Sequence, residues 1–405
     1  MNDKKKLDLF SIASVPLVMT LGNSMLIPVL PTMEKKLEIS SFQSSLIITV
    51  YSVVAIFLIP IAGYLSDRFG RKKIIVPSLI ITAIGGLISG LAAMLMNQSF
   101  YLILIGRIIQ GIGASGTFPV VLPLIGDMYK DDQEVSTGLG IVETSNTVGK
   151  VLSPIVGASL AMITWYTPLL SIPVFSVVSL ILIIFLLKVP KQQKEKEPVP
   201  FKKFLAGIKE VFVEKGRWLY ATFAIGGLQM YVLFGVLFYL STLLEHSYQK
   251  TGIIKGLILA IPLLALSLSS YLTGRKIGEN KVLMKWITFS GCLLLSLAIF
   301  FISFSDNILL IIGGLVLGGI GIGVSLPCLD TFITAGVDKE RRGTVSSIYS
   351  SMRFIGVALG PLLFAVIMKS SHQILFLSTA GVSVIAAILA LLVIRPKNEP
   401  KRSDA

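Results

Sequence analysis

The amino-acid sequence predicts an all-α membrane protein: twelve transmembrane helices in two six-helix pseudo-repeats, with both termini cytoplasmic. Three observations predict it. The 405 residues are 54% apolar and only 14% charged, with a mean hydropathy of +0.83, far from the average of soluble domains. Apolar windows of about 20 residues, the helical length that crosses a ~30 Å hydrocarbon core, occur along the whole chain. Motifs in the first half recur in the second at one nearly constant offset.

The first six predicted spans are Leu9–Leu30, Leu46–Leu65, Ile74–Leu95, Tyr101–Ile125, Thr137–Met162 and Pro168–Leu187. The second six are Trp218–Leu244, Ile253–Leu272, Trp286–Phe304, Ile308–Ile333, Val345–Met368 and Ile374–Ile394. Residues 1–187 then form one bundle and 218–394 the other, joined by a Lys-, Glu- and Pro-rich cytoplasmic linker, 188–217, and followed by a tail, 395–405. Within the linker, Val199–Val213 has the pattern of a short helix lying on the membrane surface or of a solvated connection. The start, MNDKKK before an apolar run, has the charge pattern of a signal peptide but is too long and lacks a small-x-small cleavage site, so it reads as a retained first helix.

Orientation follows from the basic residues. With the N-terminus cytoplasmic, 28 of the 36 Lys and Arg fall in cytoplasmic segments, four (Lys35, Lys36, Lys250, Lys369) in outer loops and four within spans. That bias favours positive charge inside. The net charge of +14 is spread between spans rather than gathered into a patch with interleaved aromatics, which argues against nucleic-acid binding. Cys292 and Cys328 lie in apolar runs, so neither a disulfide framework nor a metal-ligand spacing is expected. No zinc motif, Ser/His/Asp arrangement, phosphate loop or carboxylate pair points to an enzyme or to a bound cofactor. His246 and His372 lie near outer loops and read as interfacial polar residues.

The repeat is threefold. GIGASGTFP at Gly111–Pro119 returns as GIGIGVSLP at Gly319–Pro327, an offset of 208, and GKVLSPIVGA at Gly149–Ala158 returns as GVALGPLLFA at Gly356–Ala365, an offset of 207. YLSDRFGRKK at Tyr64 returns more faintly as YLTGRKIGENK at Tyr271, where Gly274 stands in the place of Asp67. Two similar helical halves around a central linker are a transporter plan, with substrate near the midplane and rocking of the halves alternating access.

Between the second and third spans, Gly63-x-Leu65-Ser66-Asp67-Arg68-x-Gly70-Arg71-Lys72-Lys73 resembles the signature of the major facilitator superfamily at every defining position. Along the whole chain the sequence is similar to that superfamily's twelve-helix drug:proton antiporters. The resemblance implies the major facilitator fold and a cell-membrane exporter of a small amphiphilic drug or metabolite, driven by the proton gradient with no cofactor and working as a monomer. It further implies a cytoplasmic latch of Gly63, Asp67, Arg68, Gly70, Arg71 and Asp127, in which Asp67 meets the start of the eleventh helix and Arg71 pairs with Asp67 and Asp127. Glycine permits the tight turn, and a carboxylate suits a helix start.

Arg107, in LIGRIIQGIGA, resembles the family's R-x-x-Q-G-x-G-A pattern, which implies a role in proton coupling; a guanidinium in a span costs at least ~2.5–3.5 kcal/mol on insertion scales and is rarely kept without a partner. Gln110 shares its helix face. On the fifth span, Gly149, Ser153, Pro154 and Gly157 resemble the antiporter signature G-x-x-x-G-P-x-x-G-G, with Ser153 and Ala158 in place of two glycines. On the same span Glu143 and Lys150, seven apart, lie on one face about 10 Å apart along the axis, so a third group or water is expected between them. A carboxylate at that depth is a candidate proton carrier, and Arg107 its coupling partner. The acid that many relatives carry in the first helix is replaced here by Asn23 and Ser24. Asp330, near the cytoplasmic end of the tenth span, reads as a second proton-site candidate or as a solvated acid. Arg107, Lys150 and Arg353 against one deep acid predict an electropositive cavity lined by Asn23, Gln110, Lys150 and Arg353, and hence a substrate with an anionic or acidic group. An uncoupled or symporting carrier of an organic anion is the alternative.

Overall fold

A computed structural model describes residues 3–96, 98–129, 131–189, 216–277, 280–337 and 339–395. The described residues are helical between short connections. The first half comprises α1 (Asp3–Ser24), a 3-10 turn (Ile27–Val29), α2 (Leu30–Leu37), α3 (Ser41–Phe69), α4 (Arg71–Leu95), α5 (Phe100–Ser115), α6 (Phe118–Met128), α7 (Asp132–Ala161) and α8 (Thr167–Phe185). The second comprises α9 (Arg217–His246), α10 (Gly252–Lys276), α11 (Lys281–Ile302), α12 (Ile308–Gly336), α13 (Lys339–Ile367) and α14 (His372–Leu392). The expected surface helix at Val199–Val213, most of the linker and residues 396–405 lie outside the described residues.

Two expected spans are broken rather than continuous. The first is α1, the 3-10 turn and α2 in succession; prolines at 28 and 31 occupy the starts of the turn and of α2, where a missing N–H costs nothing. The fourth is split at Gly116–Thr117 into α5 and α6, with Pro119 in the first turn of α6. The residue before a proline is pushed out of the helical region, and continuous hydropathy hides such a break. Counted this way, the fourteen helices among the described residues make twelve crossings, so that the start of α1 and the end of α14 lie at one end. Eleven stretches are long and apolar enough to cross a membrane. The remaining crossing, α7, is 30 residues long but is made too polar by its run from Glu143 to Lys150.

Exposed Phe57, Leu95, Phe185, Leu297 and Ile385 belong to an apolar outer surface, as a chain solvated by lipid tails requires. Inside, α4 packs on α5 and α8, α11 on α12 and α14, and α1 on α7, while the halves meet along α3 with α13 and α7 with α10. The sequence repeat is also a repeat of packing. Gly149 of α7 backs onto the Leu17 carbonyl of α1, and its counterpart Gly356 of α13 backs onto the Gly227 carbonyl of α9. One pair is inverted: Gly157 lets the Met25 carbonyl, just past the end of α1, occupy the place a Cβ would take, whereas its counterpart Phe364 drives a ring against Gly235 of α9.

The hydrophobic core is organised by ends. At the end away from the termini, one continuous cluster joins Met25, Leu30 and Ile47 of the first half to Leu233, Phe238 and Leu259 of the second. At the terminal end there are two separate cores, one around Ile12, Leu79 and Val121 and one around Leu219, Met284 and Leu329. The halves are therefore sealed together at the far end, while at the terminal end they touch along the α3–α13 flank, where Gly63 faces Ser347.

Small-to-large change at the α1–α7 contact tests this packing. Gly157→Leu sets a side chain against the Met25 backbone, and overpacking of that kind costs ~1–3 kcal/mol or more. The expected outcome is a lowered melting temperature in detergent and less folded protein in the membrane, measured by fluorescence-detected size exclusion.

Candidate functional site

The motif between α3 and α4 is built on Gly70, whose φ of +101° is closed to side-chain-bearing residues without strain. That turn aims the side chains around it. Arg71 pairs with Asp67 at 2.5 Å and with Asp127 at 2.9 Å, and donates to Ser66 Oγ at 2.6 Å. Lys72 donates to the Leu187 and Ile184 carbonyls at 2.7 and 3.1 Å, satisfying orphan groups at the end of α8.

Asp67, with Arg71 as its ion-pair partner, faces Gly343, Thr344 and Ser347 in the first turns of α13, the eleventh crossing, across a cleft. One expectation for this motif differs from what is seen. Arg68 takes no part in the ion cluster. It is exposed and stacks on the Phe69 ring at 5.3 Å.

Arg107 is fully buried. Its Nε donates to the Ile47 carbonyl at 2.8 Å, Nη2 to Asn23 Oδ1 at 2.6 Å and Nη1 to Gln110 Oε1. The guanidinium lies 4.4 Å from the centre of the Tyr51 ring. Three acceptors and an aromatic face answer the cost of burying this cation, and they explain why Asn23 and Gln110 surround Arg107 rather than line the cleft between halves. The box joins α1, α3 and α5. Among the described residues Arg107 contacts no carboxylate, and the structure does not bring it to Glu143.

The cleft between halves is lined by Ser24, Ile27 and Pro28, by Lys150 and Pro154 of α7, and by an apolar wall of Leu233, Phe234, Leu237, Leu259 and Leu263. The α7 signature brings this wall close. Ser153 returns its hydroxyl to Gly149 O at 2.6 Å, and Gly256 of α10 backs onto the Pro154 carbonyl, which small residues allow. Within the cleft Lys150 forms no hydrogen bond or ion pair with a described residue.

Toward the terminal end four charged groups share one field: Glu143 and Lys150 from the first half, Asp330 and Arg353 from the second. Asn146, one turn along α7, donates to Glu143 Oε1 at 3.2 Å and accepts from Thr20 Oγ1 at 2.6 Å. Arg353 approaches Asp330 at 3.7 Å and stacks over Tyr349 at 5.6 Å. Asp330 is thus a member of this group rather than an isolated solvated acid. Two acids and two bases leave the cluster balanced in formal charge, which corrects the expectation of an electropositive cavity; of its two cations, Lys150 is the one without a direct ion pair among the described residues.

One buried network was not anticipated. Lys255, 1% exposed, donates to Glu245 Oε2 at 2.8 Å and, across the halves, to the Pro28 carbonyl at 2.6 Å. Thr32 donates to both Glu245 oxygens at 3.1 Å, Lys35 lies 3.4 Å from Oε1, and Ser241 donates to the Ile27 carbonyl at 3.0 Å. Beside them Glu34 accepts from Ser41 and Ser44 at 2.8 and 2.6 Å. The signal was a lone Lys within an apolar run, its partner ten residues upstream, beyond the far-end turn.

Two pseudo-repeated six-helix halves, sealed together at one end and with separate cores at the other, have the plan of a secondary transporter. The sequence profile of the major facilitator superfamily matches residues 12–361 and 285–405, and the chain belongs to that superfamily. It is 50% identical over 398 residues, 98% of each chain, to the bacillibactin exporter of Bacillus subtilis (strain 168). It is 24% identical over 376 residues to the class C tetracycline resistance protein of Escherichia coli, covering 86% of this chain and 87% of that one. A bacterial homologue of the human lysosomal transporter Spinster, crystallised inward-facing and unoccupied, has the same fold, with a TM-score of 0.77, 16% identity and coverage of 97% and 98%. The chain is thus a multi-pass cell-membrane transporter that exports a small metabolite.

The far-end network gives a prediction. Glu245→Gln leaves Lys255 buried without its counter-charge, which costs about 3–5 kcal/mol. A thermal melt is expected to fall sharply in that variant and to recover in part when Lys255→Met is added.

Proposed function

We propose that this transporter exports an amphiphilic metabolite carrying an acidic group, bacillibactin or a compound like it, in exchange for protons. The carrying observation is Lys150, an ammonium that has no ion-pair partner among the described residues, on the wall of an otherwise apolar cleft. An acidic group on the substrate meets Lys150, and the apolar wall of α9 and α10 takes its hydrophobic part. A hydrogen-bond donor of the same substrate reaches Glu143, two turns along α7. Substrate and proton then compete for one carboxylate, which is the requirement for exchange. The terminal end is cytoplasmic on this reading, in keeping with the distribution of basic residues, and one chain is the working unit. The Arg71–Asp67–Asp127 cluster serves as the cytoplasmic latch, closing on α13 when the halves rock; Asp67→Asn then impairs switching but not substrate binding.

A deletion strain complemented with variants tests the reading through extracellular bacillibactin. Lys150→Gln is expected to weaken substrate affinity by roughly 10–100-fold, since a hydrogen bond to a charged group contributes ~1.5–3 kcal/mol. Glu143→Gln is expected to abolish the dependence of vesicle export on the proton gradient. Undiminished export by both variants would overturn the reading.

The alternative, an uncoupled or symporting carrier of an organic anion, is favoured by the absence of an acid between Leu9 and Leu30 of the first crossing, where Asn23 is committed to Arg107. Counterflow that is indifferent to pH in both the unsubstituted chain and Glu143→Gln would select it.

A further inference from the structure

We propose that Asp330 is a positioning residue: it holds Arg353 within the second half while the terminal end is open, and closure of that end transfers Arg353 to Glu143. The proposal rests on the reading of Glu143 as the proton carrier and adds how its charge state is coupled to the rocking of the halves.

Asp330 on α12 and Arg353 on α13 belong to one half, so their separation survives a rigid-body rotation. Glu143 on α7 belongs to the other half, so the distance from Glu143 to Arg353 is set by how the halves stand. In the present state Arg353 lies 3.7 Å from Asp330, a loose ion pair rather than a tight bidentate one. Its guanidinium is steadied over the Tyr349 ring, one turn back on the same helix. Glu143 meanwhile accepts a bond from Asn146 at 3.2 Å and is paired with no cation among the described residues. Solvent reaches this pair, with side-chain exposures of 38% for Asp330 and 18% for Arg353. The charged and titratable groups that share their field are Glu143 and Lys150 from α7 and Tyr349 from α13.

The repeat supplies a second, independent observation. The offset of 207 that relates Gly149 to Gly356 also relates Asn146 to Arg353. Since α7 on α1 and α13 on α9 pack equivalently, residues 146 and 353 occupy equivalent places on the two sides of the cleft. Asn146 already donates to Glu143 from one side. Arg353 is its mate on the other, with a charge added, and closure brings it toward the same carboxylate.

The consequence is a switch with defined chemistry. Deprotonated Glu143 accepts from the Arg353 guanidinium and holds the terminal end shut. A proton arriving from the far side occupies the carboxylate, Arg353 returns to Asp330, and the terminal end reopens. Without Asp330 the return position is lost, so the closed state gains population.

The test uses the full chain in lipid vesicles, with Asp131→Cys and Lys276→Cys spin-labelled at the terminal end of each half. Asp330→Asn is expected to raise the short-distance population at least threefold at pH 8 and to move the midpoint of its pH dependence downward. In a Glu143→Gln background the same substitution should change nothing, because the receiving carboxylate is gone. Asp330→Glu, which retains the charge, should restore the unsubstituted distribution and guards against a folding artefact. An unchanged distribution in Asp330→Asn, or an equal shift with and without Glu143, would overturn the proposal. The proton-carrier reading fails separately, if export by Glu143→Gln keeps its normal pH dependence.

Discussion

The controlling constraint is the price of charge in hydrocarbon. An ionised side chain within a membrane span must be met by the protein itself, and each intramembrane charge here marks a place where helices are obliged to meet. Arg107 draws Asn23, Gln110, Tyr51 and the Ile47 carbonyl around one guanidinium, tying α1, α3 and α5 into a rigid half. Lys255 and Glu245 settle each other's charge inside the second half and use their remaining capacity on Pro28 and Thr32 of the first. The first arrangement stiffens a body. The second joins two bodies through bonds that rotation can break without stranding a charge.

That difference explains the asymmetry between the ends. At the far end the cross-half contacts are made to a carbonyl, a hydroxyl and the half-exposed Lys35, groups that water can take over when the halves part. A continuous apolar core reinforces them. At the terminal end each half keeps its own core, and the charged groups that face the cleft, Glu143 with Lys150 and Asp330 with Arg353, are balanced within each half. Either half can therefore be exposed to water or brought against the other at modest electrostatic expense, as alternating access demands.

The sequence made the membrane class, the crossings and the duplication legible, because each depends on composition or spacing along one chain. The same holds for the charged turn at Gly63–Lys73, whose ion cluster of Asp67, Arg71 and Asp127 forms with one member supplied by the end of α6. What spacing could not convey is which helices face each other. The box around Arg107 depends on Asn23 from 84 residues away and on a backbone carbonyl, so Asn23 and Gln110 looked like cavity residues. Asp330 and Arg353 lie on successive helices, and Lys255 finds Glu245 only after the chain has turned at the far end. Arg68 resembled its neighbours in the motif, yet the turn at Gly70 leaves it stacked on Phe69 outside the cluster.

The central claim is that substrate and proton compete for the Glu143 carboxylate. Calorimetric titration of the purified transporter with bacillibactin, repeated in buffers of different ionisation enthalpy, counts protons directly. The expected result is net proton release on binding, lost in Glu143→Gln while binding itself remains measurable. Proton uptake on binding, or release that persists unchanged in Glu143→Gln, would contradict it.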